Sequence, residues 1–111
     1  MAVERSGDDL LKMLGALANP HRLRIVAALS RRTRYVSELA RELNMSRPLL
    51  HMHLQRLEAA GLVVGHHEVS SEGRALRYFE VTDFDERLSS TRIAAAAATL
   101  STAGSGDEKE I

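Results

Sequence analysis

Ser46, Arg47, His51, Gln55 and Arg56 stand in one short stretch, 38–57, and each carries a group suited to hydrogen bonding with nucleic acid. Arg47 can grip a phosphate or a guanine edge, the commonest specific contact, while Gln55 prefers adenine and His51 can also reach a base edge. Arg56 lies to the side and suits a phosphate or an internal Glu. The Ser46 hydroxyl can cap the helix that follows and donate to a phosphate, where neighbouring backbone amides also point. Pro48, Leu49 and Met52 can meet thymine methyls, or pack against a neighbouring subunit. Arg74 and Arg77 suit backbone contact or minor-groove insertion, with a solubilising hairpin tip as the plain alternative.

Bond-making chemistry is poorly served. The chain has no Gly-rich phosphate loop, no His-Glu-x-x-His and no nucleophile elbow. The absence of Cys removes disulfides, thiolate metal sites and Cys nucleophiles together. The five His make no ready metal site. His66 and His67 are adjacent, so in a strand they point to opposite faces. His51 and His53 diverge around a helix. His53 sits near the apolar face, which suits a packed or phosphate-bonded ring better than a metal ligand.

These residues need positioning elements, and the periodicity supplies them. Leu10, Leu11, Leu14 and Leu17 predict a first helix over about 8–18. Asn19 caps a second helix, 20–30, with Pro20 in its first turn. Tyr35-Val36 can form a very short strand, after which Ser37 is expected to cap a third helix ending near Leu43. Asn44 suits the left-handed exit. A fourth helix runs 47–60, with Leu50, Leu54 and Leu57 on one side and Pro48, Met52, Gln55 and Ala59 opposite. Leu62–Val64 and Leu76–Val81 read as a β-hairpin around a 70–74 turn in which Gly73 can take positive φ. A last helix is expected from about Asp85 toward Leu100, capped by Thr82 or Asp83. Residues 1–100 then form one domain, and 101–111, rich in Gly, Ser and acids, a disordered tail.

Composition agrees with a small, mainly helical protein of 111 residues, 44% apolar and without Trp. No apolar run reaches the roughly 20 residues that span a membrane. The start lacks a signal-peptide pattern, so a cytoplasmic location is expected. Net charge is zero, but residues 19–82 hold ten Arg against six Glu, and the acids gather toward the ends. A basic middle between acidic ends is compatible with a DNA-facing surface, as it is with a mixed solvated one.

Helix, helix, helix-turn-helix, hairpin, helix is the order of a winged helix-turn-helix: mainly α, five helices and a small β-hairpin. The residues also resemble one family, the ArsR/SmtB bacterial regulators. The stretch 16–25 (ALANPHRLRI) is similar to its opening signature, 46–63 (SRPLLHMHLQRLEAAGLV) to its recognition helix and exit, and 72–79 (EGRALRYF) to its wing. The resemblance implies a sequence-specific regulator that acts as a symmetric dimer held by the first and last helices, through Leu10, Leu11, Leu14, Leu88 and Ile93. Each fourth helix would enter a major groove of an operator, with half-sites one helical turn, ~34 Å, apart.

Family members often sense a metal, and the overall look is similar to a nickel-linked member. Here the thiolate pair of some members is replaced by Tyr35-Val36-Ser37-Glu38-Leu39, and no His follows His67 to serve a last-helix site. A nitrogen/oxygen site across the dimer, from His and carboxylates, would suit nickel or zinc. Two rivals stand beside the DNA reading. One is a winged-helix protein-interaction module docking through Pro48, Leu49 and Met52. The other is a regulator that senses nothing itself and relies on a second regulatory protein.

Overall fold

The structure is a computed structural model that describes residues 4–101. In chain order it comprises α1 (Gly7–Leu17), α2 (Pro20–Arg31), β1 (Arg34–Tyr35), α3 (Val36–Glu42), α4 (Arg47–Ala59), β2 (Val63–Val69), β3 (Ala75–Val81) and α5 (Ser90–Ala97). The strands form an antiparallel sheet in the order β1-β3-β2. This is the winged helix-turn-helix architecture, with β2 and β3 as the wing. The expected tail, 101–111, lies outside the described residues apart from Ser101.

Local chemistry explains most boundaries. Ser6 accepts from the Asp9 amide at 3.1 Å, and Asp8 and Asp9 suit the positive end of α1. Asn19 accepts from the His21 and Arg22 amides at the start of α2. Asn44 leaves α3 at φ 53, the left-handed conformation its side chain tolerates. Ser46 accepts from the Leu49 amide at 3.3 Å and starts α4. Gly73 takes φ 83 in the hairpin turn, where Ser70 accepts from the Arg74 amide.

Three expectations are corrected. Helix α3 begins before Ser37: Tyr35 is its N-cap, and the Glu38 carboxylate accepts from the Tyr35 amide at 3.0 Å. That hydrogen bond holds the Glu38 carboxyl below its ordinary range. Strand β2 continues well beyond Val64, because β3 offers it a full ladder from Val63↔Val81 to Val69↔Ala75. The last helix begins at Ser90, not Asp85, with Ser89 accepting from the Arg92 amide at 3.0 Å. In the 82–89 segment, Thr82 bonds to the Gly61 carbonyl, Phe84 packs on the core and Glu86 is held by ion pairs. The Glu86 carboxylate accepts from Arg5 and Arg92, each at 3.0 Å, and Arg92 also donates to the Arg5 carbonyl.

The core is one cluster. Met13, Ile25, Leu29, Leu39, Leu50, Leu54, Leu57, Leu62, Val63 and Phe79 are all buried. They come from α1 to α4 and the inner face of the wing, so the recognition-type helix is seated on everything that precedes it. Burying such side chains stabilises by roughly 1.5–3 kcal/mol each before chain entropy is subtracted. Helix α5 packs on α1 through a close approach at Gly7: a Cβ there would collide with the Ala96 carbonyl oxygen. The Gly7 amide donates to Thr99 Oγ1 at 2.6 Å.

Candidate nucleic-acid interface

Helix α4 presents the face the periodicity predicted. Leu50, His53, Leu54 and Leu57 are buried, whereas Arg47, Pro48, Leu49, Met52, Gln55 and Arg56 are exposed. Leu49 and Met52 keep 38% and 42% of their surface, which leaves an apolar patch beside the polar Arg47 and Gln55. The face opens onto a groove of about 610 Å³ between α4 and the wing, lined among others by Ser37, Arg47, Met52, Gln55 and Arg74. Arg74 is exposed at the hairpin turn, with its backbone tied to Ser70 by two hydrogen bonds.

Arg77 is placed differently from Arg74. Sequence alone offered wing contact or a hairpin tip; the structure turns it inward onto α4. Its Nη1 donates to His51 Nε2 at 3.0 Å, and its Nη2 lies 3.8 Å from a Glu58 oxygen. The guanidinium sits 4.8 Å from the centre of the Phe79 ring, a cation–π distance. The cause is strand parity: Arg77 and Phe79 are two apart in β3 and share the inner face. Because arginine can only donate, His51 accepts through Nε2 and carries its proton on Nδ1. His51, proposed for a base edge, is thus one partner of a brace between α4 and the wing.

His53 occupies the other flank of α4 and is buried, as its place near the apolar face suggested. Arg22 Nη1 lies 3.0 Å from His53 Nδ1, so Nδ1 accepts and Nε2 carries the proton, without a partner among the described residues. Burial, then the charges of Arg22, His21 and Arg56, hold the imidazole below its ordinary value of 6.5. Sequence reasoning did not single out Arg22. Nothing in its spacing marks it as buried, and only the packing of α1, α2 and α4 reveals it.

The expected dimer contacts divide. Leu11, Leu88 and Ile93 are exposed at 61%, 53% and 48%, and Leu14 is half-buried. Leu10 is 4% exposed and points into its own subunit with Met13 and Ala16, so it is not presented to a second chain. The reason is that the α1 stripe is wider than one face. Leu10, Met13 and Ala16 take the inner side and push Leu11 outward.

The His and acidic residues do not assemble a metal centre within the described residues. His66 Nε2 lies 2.6 Å from Glu80 and its ring stacks 4.9 Å from Tyr78, while the Tyr35 hydroxyl donates to Glu68. No group of three or more His, Cys, Asp or Glu among the described residues is placed to hold an ion. Among the described residues of one subunit, no donor set of the kind nickel or zinc takes is assembled. No helix among the described residues is long and apolar enough to cross a membrane.

Comparison with known proteins agrees with this geometry. The family model described as "Bacterial regulatory protein, arsR family" matches residues 19–64, which run from the α2 cap into β2. The HTH-type transcriptional regulator MJ0229 of Methanocaldococcus jannaschii is 40% identical over 77 residues, 68% of this chain and 79% of that protein. The HTH-type transcriptional repressor SmtB of Mycobacterium tuberculosis is 44% identical over 54 residues, 49% of this chain and 40% of that protein. Among solved structures, the homodimeric winged helix-turn-helix DNA-binding domain Mb0332 of Mycobacterium bovis superposes with a TM-score of 0.61 at 27% identity. That match covers 73% of this chain and 75% of the other. With a helix-turn-helix braced to a wing and a relative matched over most of its length, the chain belongs to the ArsR family and is a transcriptional regulator with a winged helix-turn-helix DNA-binding domain.

Proposed function

We propose that this protein acts as a homodimer that sets α4 of each subunit in a major groove of an operator and lays each wing on the neighbouring backbone. One observation carries the reading. Arg47, Met52 and Gln55 on α4 and Arg74 on the wing line the same open groove, so one duplex can meet all of them together. The M. bovis neighbour, described as homodimeric, and the exposed Leu11, Leu88 and Ile93 support the dimer. A two-fold axis would then fix half-sites about one turn, ~34 Å, apart.

Each residue has a stated part. Arg47 takes a guanine edge or the phosphate beside it, and Gln55 reads adenine. Ser46 and the first amides of α4 hold a phosphate. Pro48, Leu49 and Met52 meet thymine methyls. Arg56 takes phosphate, and Arg74 the backbone or the minor groove. His51 and Arg77 brace the wing at the angle that lets both elements touch one duplex. Selection of bound duplexes from a random pool tests this. Enrichment of a two-fold site is expected, and Gln55→Ala should relax its preference by about 5- to 100-fold at one base pair. Failure to enrich any sequence would overturn the reading. A partner complex that is indifferent to salt would favour protein docking through Leu49 and Met52, because binding to DNA weakens steeply as salt rises.

A further inference from the structure

On the flank of α4 away from the wing, α1, α2 and α4 border an open cleft of about 330 Å³ lined by Lys12, Gly15, Ala16, Arg22, Arg56 and Ala59. Its charged walls are all cationic. Arg22 is 8% exposed, yet its side chain bonds only neutral groups: Nε donates to the Ala16 carbonyl at 2.6 Å and Nη1 to His53 at 3.0 Å. Among the described residues no carboxylate pairs with Arg22, Lys12 or Arg56. Arg34, as deeply buried, shows the usual arrangement: its Nε is 2.9 Å from a Glu42 oxygen.

A buried guanidinium without a counter-ion is costly, because its lost hydration is not replaced by an anion. Two further cations at the rim raise that cost by repulsion, and in a low-dielectric concavity the same charges focus a field that attracts an anion. Gly15 leaves the α1 wall bare, with open space where a side chain would stand. His53, an imidazole whose burial disfavours its charged form, is no counter-ion for the guanidinium.

We propose that Lys12, Arg22 and Arg56 form an oxyanion site that takes a phosphate group, carried by the DNA backbone on the side of the groove the wing does not cover. The bearer rests on the DNA reading above; the site itself does not. A helix lying in a major groove has a sugar-phosphate strand along each flank. The wing meets one. Arg56 stands on the flank facing the other, with Lys12 and Arg22 behind it.

Two measurements on the full chain test this, using Lys12→Gln, Arg56→Gln and the double variant, all at exposed positions that spare the core. Inorganic phosphate is titrated at constant ionic strength against chloride while amide NMR shifts of residues 12–16, 22 and 56 are followed. Saturable shifts are expected in the native protein and not in the double variant. Binding to a random-sequence duplex is measured across salt, and the double variant should lower the log–log slope by about 0.9, one phosphate's worth. Both effects together support the backbone as bearer. Saturable phosphate binding with an unchanged slope supports the site with free phosphate as its source. No shifts and no slope change overturn it, as does loss of dimer with an unchanged slope, which would assign these charges to contact between copies. If the native protein binds no duplex, the DNA reading fails, and the phosphate titration still decides the site.

Discussion

The two flanks of α4 each carry an arginine donating to a histidine of the helix at 3.0 Å, and they are not equivalent. On the wing flank, Arg77 meets His51 with the Glu58 carboxylate 3.8 Å behind it and the Phe79 ring beneath, while its Nε is buried without a partner among the described residues. On the opposite flank, Arg22 meets His53 with no carboxylate behind it, next to Lys12 and Arg56. The same residue pair serves as a brace in one place and leaves unanswered charge in the other. Burial separates them too: His53 is 3% exposed, whereas His51 is half-buried. Carboxylate placement and burial, not residue type, decide whether a cation in this fold stays inside the subunit or is turned toward a ligand.

The largest effect expected from this contrast is on stability. His53→Ala removes the one side-chain acceptor of a buried guanidinium and opens a void in the core, which should cost about 2–3 kcal/mol. His51→Ala removes a partner near water and should cost under about 1 kcal/mol. Urea unfolding of both variants measures the difference. Equal losses would show that the two pairs are energetically alike and would break the comparison.

Acid should act through the same flank. His53 titrates below its ordinary value in the folded chain, so the unfolded chain binds its proton more readily. Its contribution to stability is therefore complete above about pH 6.5 and is lost as pH falls from there through the depressed folded value. Glu38 and Glu42, lowered from 4.5 by the Tyr35 amide and by Arg34 respectively, lose theirs only at more acid pH. Melting temperatures at about pH 7.5 and about pH 5.5 should therefore fall further apart in the native protein than in His53→Gln. A gap as wide in the variant would remove His53 as the cause.

Much of the fold behind this contrast is legible in the sequence, whereas the contrast itself depends on packing. Capping residues and leucine spacing place α1, α2 and α4 correctly because those signals act within one turn of chain, whereas the start of α3 passes from Ser37 to Tyr35. The two-residue step from Arg77 to Phe79 already implies a shared face, a parity that points Arg77 inward along with its aromatic neighbour. The start of α5 is not legible. Asp83 and Asp85 look like helix-opening acids, but Glu86 is claimed by Arg5 and Arg92, one of them from the other end of the chain. Arg22 is equally silent, since a buried cation and a solvated one have the same sequence signature. The outward face of α4 is legible; the charge imbalance on its two sides is not.

On DNA, the two wing arginines should separate. Arg74 is exposed at the hairpin tip and has no side-chain ion pair among the described residues, so Arg74→Ala should weaken binding to every sequence and lower the salt slope by about 0.9. Arg77 is occupied within the subunit, so Arg77→Ala should leave that slope unchanged and reduce stability instead. Binding isotherms across salt, beside urea unfolding, measure both. A slope loss in Arg77→Ala would mean that the guanidinium leaves His51 to reach the backbone, and the brace would then be a resting position.

The smallest effect expected is the most discriminating for the wing flank. Glu58 lies 3.8 Å from Arg77 at the rim, its side chain 39% exposed, a separation at which an ion pair contributes little. Its carboxylate also accepts from the Gly65 amide at 3.3 Å, so it ties α4 to β2 as well as meeting the charge. Glu58→Gln keeps an acceptor for that amide and removes only the charge, so stability should change by less than about 0.5 kcal/mol. The charge balance of the flank shifts nonetheless, since Arg77 is then left without a carboxylate, as Arg22 is. If carboxylate placement is what separates the two flanks, Glu58→Gln should strengthen binding to random-sequence duplex, by a few-fold at low salt and less as screening grows. Unchanged affinity at every salt concentration would mean that the wing flank is set by the geometry of the brace and not by its charge.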